Sequence, residues 1–161
     1  MDDAKTKIIL DEKAAYTKAK HFCAYQERAQ QEVRDKLYDY GLHQNAVENI
    51  ISTLITEGFI NEERFAKAYA RGKFNQKGWG KIKIKQGLKF KKVPDVLIKK
   101  ALQGIPDDDY IHMLQKILAK KAALITEKNA YKRKYKLQQY ALSRGYEGDI
   151  VSDLLKNSEL G

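Results

Sequence analysis

A chain of 161 residues, 43% hydrophobic and 32% charged, is long enough for one ordinary domain or a few small modules and has the balance of a soluble globular protein. No apolar run approaches the roughly 20 residues of a membrane-spanning helix, so no membrane partner is expected. The single cysteine, Cys23, excludes an internal disulfide and points to a reducing compartment.

The net charge of +10 is carried by one stretch. Residues 71–100 hold eleven basic residues against Asp95 alone, while the remainder divides into twenty basic and twenty acidic. Such a block inside an otherwise balanced chain reads as a local surface for an anionic partner.

In chain order, MDDAKTKIIL mixes acids with a short apolar triplet and does not read as a secretory leader. A cytoplasmic location is expected, with residues 1–11 an extension ahead of the folded part. Residues 12–25 predict a helix with Ala15, Ala19, Phe22 and Cys23 on one face. Asn61 reads as the N-cap of a second helix over about 62–75, with Glu62 and Glu63 in its first turn, where the helix dipole favours acids. Pro106-Asp107-Asp108-Asp109 opens a third, over about 107–127, with a stripe of Ile111, Leu114, Ile117, Leu118 and Ile125. Gly41, Gly58, Gly104 and Gly145 fall at helix ends and predict left-handed C-caps.

A repeat runs through these elements. Shifting residues 33–54 by 51 brings Val33 onto Ile84, Leu37 onto Leu88, Val47 onto Ile98, Ile51 onto Leu102 and Leu54 onto Ile105. Shifting them by 104 brings Val33 onto Leu137, Gly41 onto Gly145, Val47 onto Val151, and Ile50 and Ile51 onto Leu154 and Leu155. The fold class is therefore all-α: three tandem three-helix repeats, about nine helices, over 12–57, 58–105 and 106–157, with 158–161 a tail. The stretch KIKIK alternates with period two, which by itself argues a strand. The repeat instead makes Ile84 and Leu88 an inward pair one turn apart in a helix over about 80–90, with lysines around them. Gly87 weakens that helix by about 1 kcal/mol relative to alanine.

No catalytic constellation appears. His21 and Cys23 lack the further ligands that zinc needs, and KGWG lacks the Walker pattern of a nucleotide-triphosphate site. No cofactor or metal is expected. The candidate binding residues are Arg71, Lys73, Lys77, Trp79, Lys81, Lys83, Lys85, Lys89, Lys91 and Lys92. Trp79, between two glycines, reads first as a cap on the core and second as a base-stacking platform.

The stretch Leu54 to Tyr69, LITEGFINEERFAKAY, followed by KGWGKIKIKQGL, resembles the RecX family of bacterial RecA regulators. Gly58, Phe59, Ile60, Asn61, Glu62, Arg64, Phe65, Ala66 and Tyr69 fit its first motif, and Gly78, Gly80, Lys83, Ile84 and Leu88 its second. The likeness covers about residues 12–157, and these motif residues are mostly scaffold. Three departures stand out. K89-F-K-K-V93 replaces a glycine-containing helix end, Gly87 takes a position where glutamate is common, and Q26-E-R-A-Q30 lacks the usual serine cap. The resemblance implies an elongated, curved, monomeric protein that is not an enzyme. It would lie along the filament of RecA on single-stranded DNA, hindering ATP hydrolysis, strand exchange and filament growth. Both DNA phosphates and an acidic recombinase face suit the basic block. A sequence-independent DNA-binding protein without a recombinase partner, and an adaptor for an acidic protein surface, are the alternative readings.

Overall fold

The computed structural model describes residues 10–158. The expected extension up to residue 9 and the tail from 159 lie outside the described residues. Among the described residues there are nine helices and no strand. The first triplet is α1 (Glu12–Tyr25), α2 (Gln30–Asp39) and α3 (Gln44–Thr56). The second is α4 (Glu62–Lys77), α5 (Lys81–Phe90) and α6 (Asp95–Gln103). The third is α7 (Asp107–Ala122), α8 (Ala130–Ser143) and α9 (Gly148–Lys156). Within each triplet the helices pack on one another, α4 lying along α6, α2 on α3, and α8 between α7 and α9.

The local signals behind the helices are visible at their ends. The Asp11 side chain accepts from Ala14 N at 2.7 Å, and Asn61 Oδ1 accepts from Arg64 N at 2.9 Å, each satisfying a donor left over in the first turn. Ala29 begins α2 where a serine would cap. There the Glu32 carboxylate accepts the Ala29 N–H at 2.8 Å, supplying one half of a capping box without the other.

KIKIK is helical, as the repeat requires: Ile84 and Leu88 are fully buried in α5. Two of the superimposed sets are buried in all three units, while Leu102 and Leu154, the partners of Ile51 and Ile50, are partly buried. Val33, Ile84 and Leu137 are buried, and so are Val47, Ile98 and Val151.

Two helix ends differ from expectation. Gly104 has φ −73° and is not left-handed, because Pro106 follows and the chain must leave the helix in an extended path without needing φ above zero. The left-handed cap lies instead at Gly78, φ 66°, whose N–H reaches Phe74 O at 3.0 Å, the single bond of an αL closure, while Trp79 N reaches Lys73 O at 3.1 Å. Helix α7 stops at Ala122 rather than near 127. The Arg133 guanidinium takes the carbonyls of Ala122 and Ile125 at 2.6 and 2.9 Å, so those acceptors turn to a side chain instead of to the next helical turn. Ile125 still packs on the core from outside the helix.

The repeat has a counterpart at Lys92. Gly41 and Gly145 are left-handed at φ 88° and 94°, and Lys92, at the same repeat position, is left-handed at φ 60°. It is the sole non-glycine residue with positive φ among those described. Loss of the glycine changes the side chain but not the turn.

Three triplets do not make three cores. Ala15, Ala19, Cys23, Val33, Leu37, Val47, Ile50, Ile51, Leu54 and Ile60 form the core of the first unit. A second, continuous core runs from Phe65 and Phe74 through Ile84, Leu88 and Ile98 into Tyr110, Leu114, Leu118, Leu137, Tyr146 and Val151. The second and third units are fused through it. The first unit meets the second through Ala29, buried in the second core, and Ile60, buried in the first, and through ion pairs that place Lys91 Nζ 3.0 Å from Glu32 and Arg64 Nε 2.5 Å from Glu27.

Candidate polyanion-binding surface

The link between α4 and α5, Gly78-Trp79-Gly80, places most of the basic block, and it does so by resting on the third unit. Gly80 N donates to Arg144 O at 2.8 Å and Ile82 N to Gly145 O at 2.9 Å. The Tyr146 hydroxyl donates to Gly78 O at 2.9 Å, and the Arg144 guanidinium to the Lys77 carbonyl. A β-carbon at Gly80 would fall 2.3 Å from the Gly145 carbonyl, and one at Gly145 would fall 2.4 Å from the Lys83 β-carbon. The two backbones cross in contact, which only a pair of glycines permits. Tyr110 completes the joint, accepting from Lys81 N at 2.9 Å and donating to Glu147. Burial, then the Glu147 hydrogen bond, raises its phenol pKa well above the ordinary value, and burial does the same to Tyr146.

With the joint in place, the lysines of α5 divide between two flanks. Lys81, Lys85 and Lys89 follow one another at one-turn spacing along one side of the helix, as 100° per residue requires. Lys85 has no ion pair among the described residues and Lys89 lies 4.0 Å from the exposed carboxylate of Asp95, while Lys81, 4.0 Å from that of Asp107, also holds its ammonium 4.8 Å from the Tyr110 ring centre and is partly buried. Exposed pairs of this kind contribute little. Beside the stripe, Phe90 is 87% exposed.

The other flank faces Trp79. Lys83 and Lys73 hold their ammonium groups 4.7 and 4.9 Å from the centre of that one indole ring, and Lys73 also reaches Tyr69 at 5.4 Å. A groove of about 430 Å³ opens here between α4 and the α1–α2 link, lined by Glu27, Glu32, Tyr69, Lys73, Lys77 and Lys91. Lys91 is committed to Glu32 and so belongs to the contact between the first two units. Arg71 stands exposed on the far side of α4, above a cleft shared with Lys67, Phe74 and Asp109. Lys92 is exposed at the end of α5.

The ten predicted residues therefore do not form one surface. Lys81, Lys85 and Lys89 make an outer row, Lys73, Lys77, Lys83 and Lys91 surround Trp79 and the groove, and Arg71 points to a third side. Trp79 is half-buried against the core with lysines over its ring, which leaves it the capping reading. Sequence reasoning did not find the reason for Gly87: a β-carbon there would meet the Tyr69 hydroxyl at 2.0 Å. It also passed over a second basic concentration on α7 and α8, because the charge outside 71–100 sums to zero. A sliding charge window finds it, with eight basic residues against Glu127 over 116–136.

Among the described residues, no three histidine, cysteine, aspartate or glutamate side chains come together as a metal-binding group, and no helix is long and apolar enough to cross a membrane.

Comparison with known proteins agrees with this architecture unit by unit. Models of the first, second and third three-helix domains of RecX match residues 15–54, 61–102 and 107–155. The chain is 28% identical over 142 residues to a regulatory protein RecX of Bacillus mycoides, covering 88% of this chain and 53% of that one. It is 28% identical over 155 residues to a regulatory protein RecX of Clostridium acetobutylicum, covering 92% and 72%. Several of these relatives are thus spanned over only about half their length. The crystal structure of RecX from Lactobacillus salivarius superimposes with a TM-score of 0.85 at 26% identity, covering 93% of this chain and 97% of that one.

Proposed function

The chain belongs to the RecX family, and on that premise we propose that it regulates recombination by binding the filament of RecA on single-stranded DNA. In this reading it slows ATP hydrolysis and strand exchange and limits filament growth, acting as a monomer in the cytoplasm through contact rather than chemistry. The observation that carries the reading is the mounting of the whole net charge on the middle unit of a tandem array. Small repeated units present length instead of a deep pocket. The row of Lys81, Lys85 and Lys89 and the lysines around Trp79 lie on opposite flanks of one helix, so the middle unit offers positive charge to both sides of a groove it enters. A helical polyanion and an acidic protomer face can each be met at once.

Co-sedimentation with preformed RecA filaments across a salt series, beside an ATPase assay, tests this. Inhibition is expected at amounts well below those that cover the strand, with binding that weakens steeply as salt rises. Replacing Lys81, Lys85 and Lys89 by glutamine is expected to weaken filament binding without loss of helix content. Inhibition appearing only at strand-covering amounts would instead indicate a DNA competitor without a recombinase partner and would overturn the proposal.

A further inference from the structure

We propose that the third unit carries a separate surface for single-stranded nucleic acid, built on α8 and the α7–α8 link, with Tyr131 and Tyr135 as base-stacking platforms. This assigns a site distinct from the basic block and needs no recombinase to act. Tyr131 and Tyr135 lie one turn apart on the outer side of α8 and are 82% and 57% exposed. Folding accounts for neither: the buried side of α8 is Leu137 and Ala141. Leu124, 74% exposed, sits across a shallow groove that Tyr135, Ile125 and Tyr140 also line.

Cations edge this apolar strip. Lys132, Lys134 and Lys136 are exposed on α8, and Lys121 stands at the groove with its ammonium 4.8 Å from the Tyr140 ring centre. Glu127 is the one acid over 116–136, and its carboxylate accepts from Asn129 N at 3.1 Å. Arg133 is engaged elsewhere, closing the end of α7, and is not part of the face.

The combination selects the ligand. An acidic protein surface would be satisfied by lysines alone, and a duplex would offer phosphates but keep its base faces stacked inside. Exposed aromatic rings between lysines fit a strand whose phosphates meet the cations while unstacked bases lie on the rings. In the basic block of the second unit Trp79 is covered by Lys73 and Lys83 and Tyr69 is packed on Gly87, which leaves Phe90 as a single exposed ring, where α8 offers two rings one turn apart.

The test is a fluorescence-anisotropy titration of labelled oligothymidylate with the full chain alone, at several salt concentrations. Tyr131→Ala/Tyr135→Ala is expected to weaken binding about tenfold per ring, about a hundredfold together, with the salt slope unchanged. Tyr131→Phe/Tyr135→Phe should bind as the parent does, because the ring faces remain. Lys132→Gln/Lys134→Gln/Lys136→Gln should lower the salt slope by about 2, at roughly 0.7 per phosphate contact. Lys13→Gln/Lys18→Gln/Lys156→Gln, which removes the same three charges from α1 and α9, should change neither quantity. All these side chains are exposed, and unchanged helical circular dichroism verifies folding. Full affinity in the tyrosine-to-alanine pair would overturn the proposal, as would equal competition by duplex. So would absence of oligonucleotide binding by a parent protein whose filament inhibition is lost in the tyrosine pair, a result that places a protein on this face. No recombinase is present in the titration, so its failure leaves the filament reading untouched.

Discussion

Gly80→Ala tests the joint between the second and third units directly. The added β-carbon would sit 2.3 Å from the Gly145 carbonyl carbon and oxygen and 2.5 Å from Tyr146 N. All three are backbone atoms with no rotamer to change. Reaching an ordinary contact of about 3.4–4.0 Å between carbon atoms requires the units to part by about 1 Å or more. Hydrogen bonds of 2.8 Å (Gly80 N to Arg144 O), 2.9 Å (Ile82 N to Gly145 O) and 2.9 Å (Tyr146 hydroxyl to Gly78 O) would then stretch beyond useful length. At about 1 kcal/mol each, the loss comes to about 3 kcal/mol, and it rises if the buried groups stay unpaired. Urea unfolding followed by fluorescence suits the question, because Trp79 is the chain's one tryptophan and stands at the joint. Gly72→Ala is the comparison: nothing lies within 4 Å of its added carbon, and a helix-interior site should gain about 0.5–1 kcal/mol. Equal unfolding midpoints for Gly80→Ala and the parent would refute the close-crossing argument.

Two further outcomes follow from the geometry. Lys92→Gly should be more stable than Lys92→Ala by about 1 kcal/mol, because both remove the charge while only glycine relieves the left-handed backbone; equal denaturation midpoints for the two would remove the strain argument. Stability should decline at alkaline pH. Burial pushes the Cys23 thiol from 9.0 up to about 11, so its contribution is complete below pH 9 and is lost as pH rises toward 11. Tyr110 and Tyr146, raised from 10.0, carry the same sign from pH 10 upward. In urea midpoints measured across pH 8–11, Cys23→Ala should delay the onset of the decline from about pH 9 to about pH 10; an identical onset in both proteins would count against a buried thiol.

The triplet organisation was legible because apolar spacing reports which side of a helix is buried. Val33, Ile84 and Leu137 could be equated on the sequence alone, and all three are interior. Caps were legible for a similar reason, since Asp11 and Asn61 act on their own first turns. Errors fell where a distant group intervenes: Arg133 ends α7 eleven residues after Ala122, and the rings that fit a strand lie on a helix whose charge vanished in a whole-chain balance.

By itself, then, the sequence determined the helical repeat, the inward positions and the net charge, because each depends on neighbours within a turn or two. The tertiary structure decided what buries those positions. It made one core of the second and third units, and it set two glycines sixty-five residues apart in backbone contact. It also brought Lys73 of α4 and Lys83 of α5 to one indole ring and Lys91 to Glu32 of the first unit. Periodicity gives the direction of a side chain around its own helix axis, and only packing fixes that axis relative to the others.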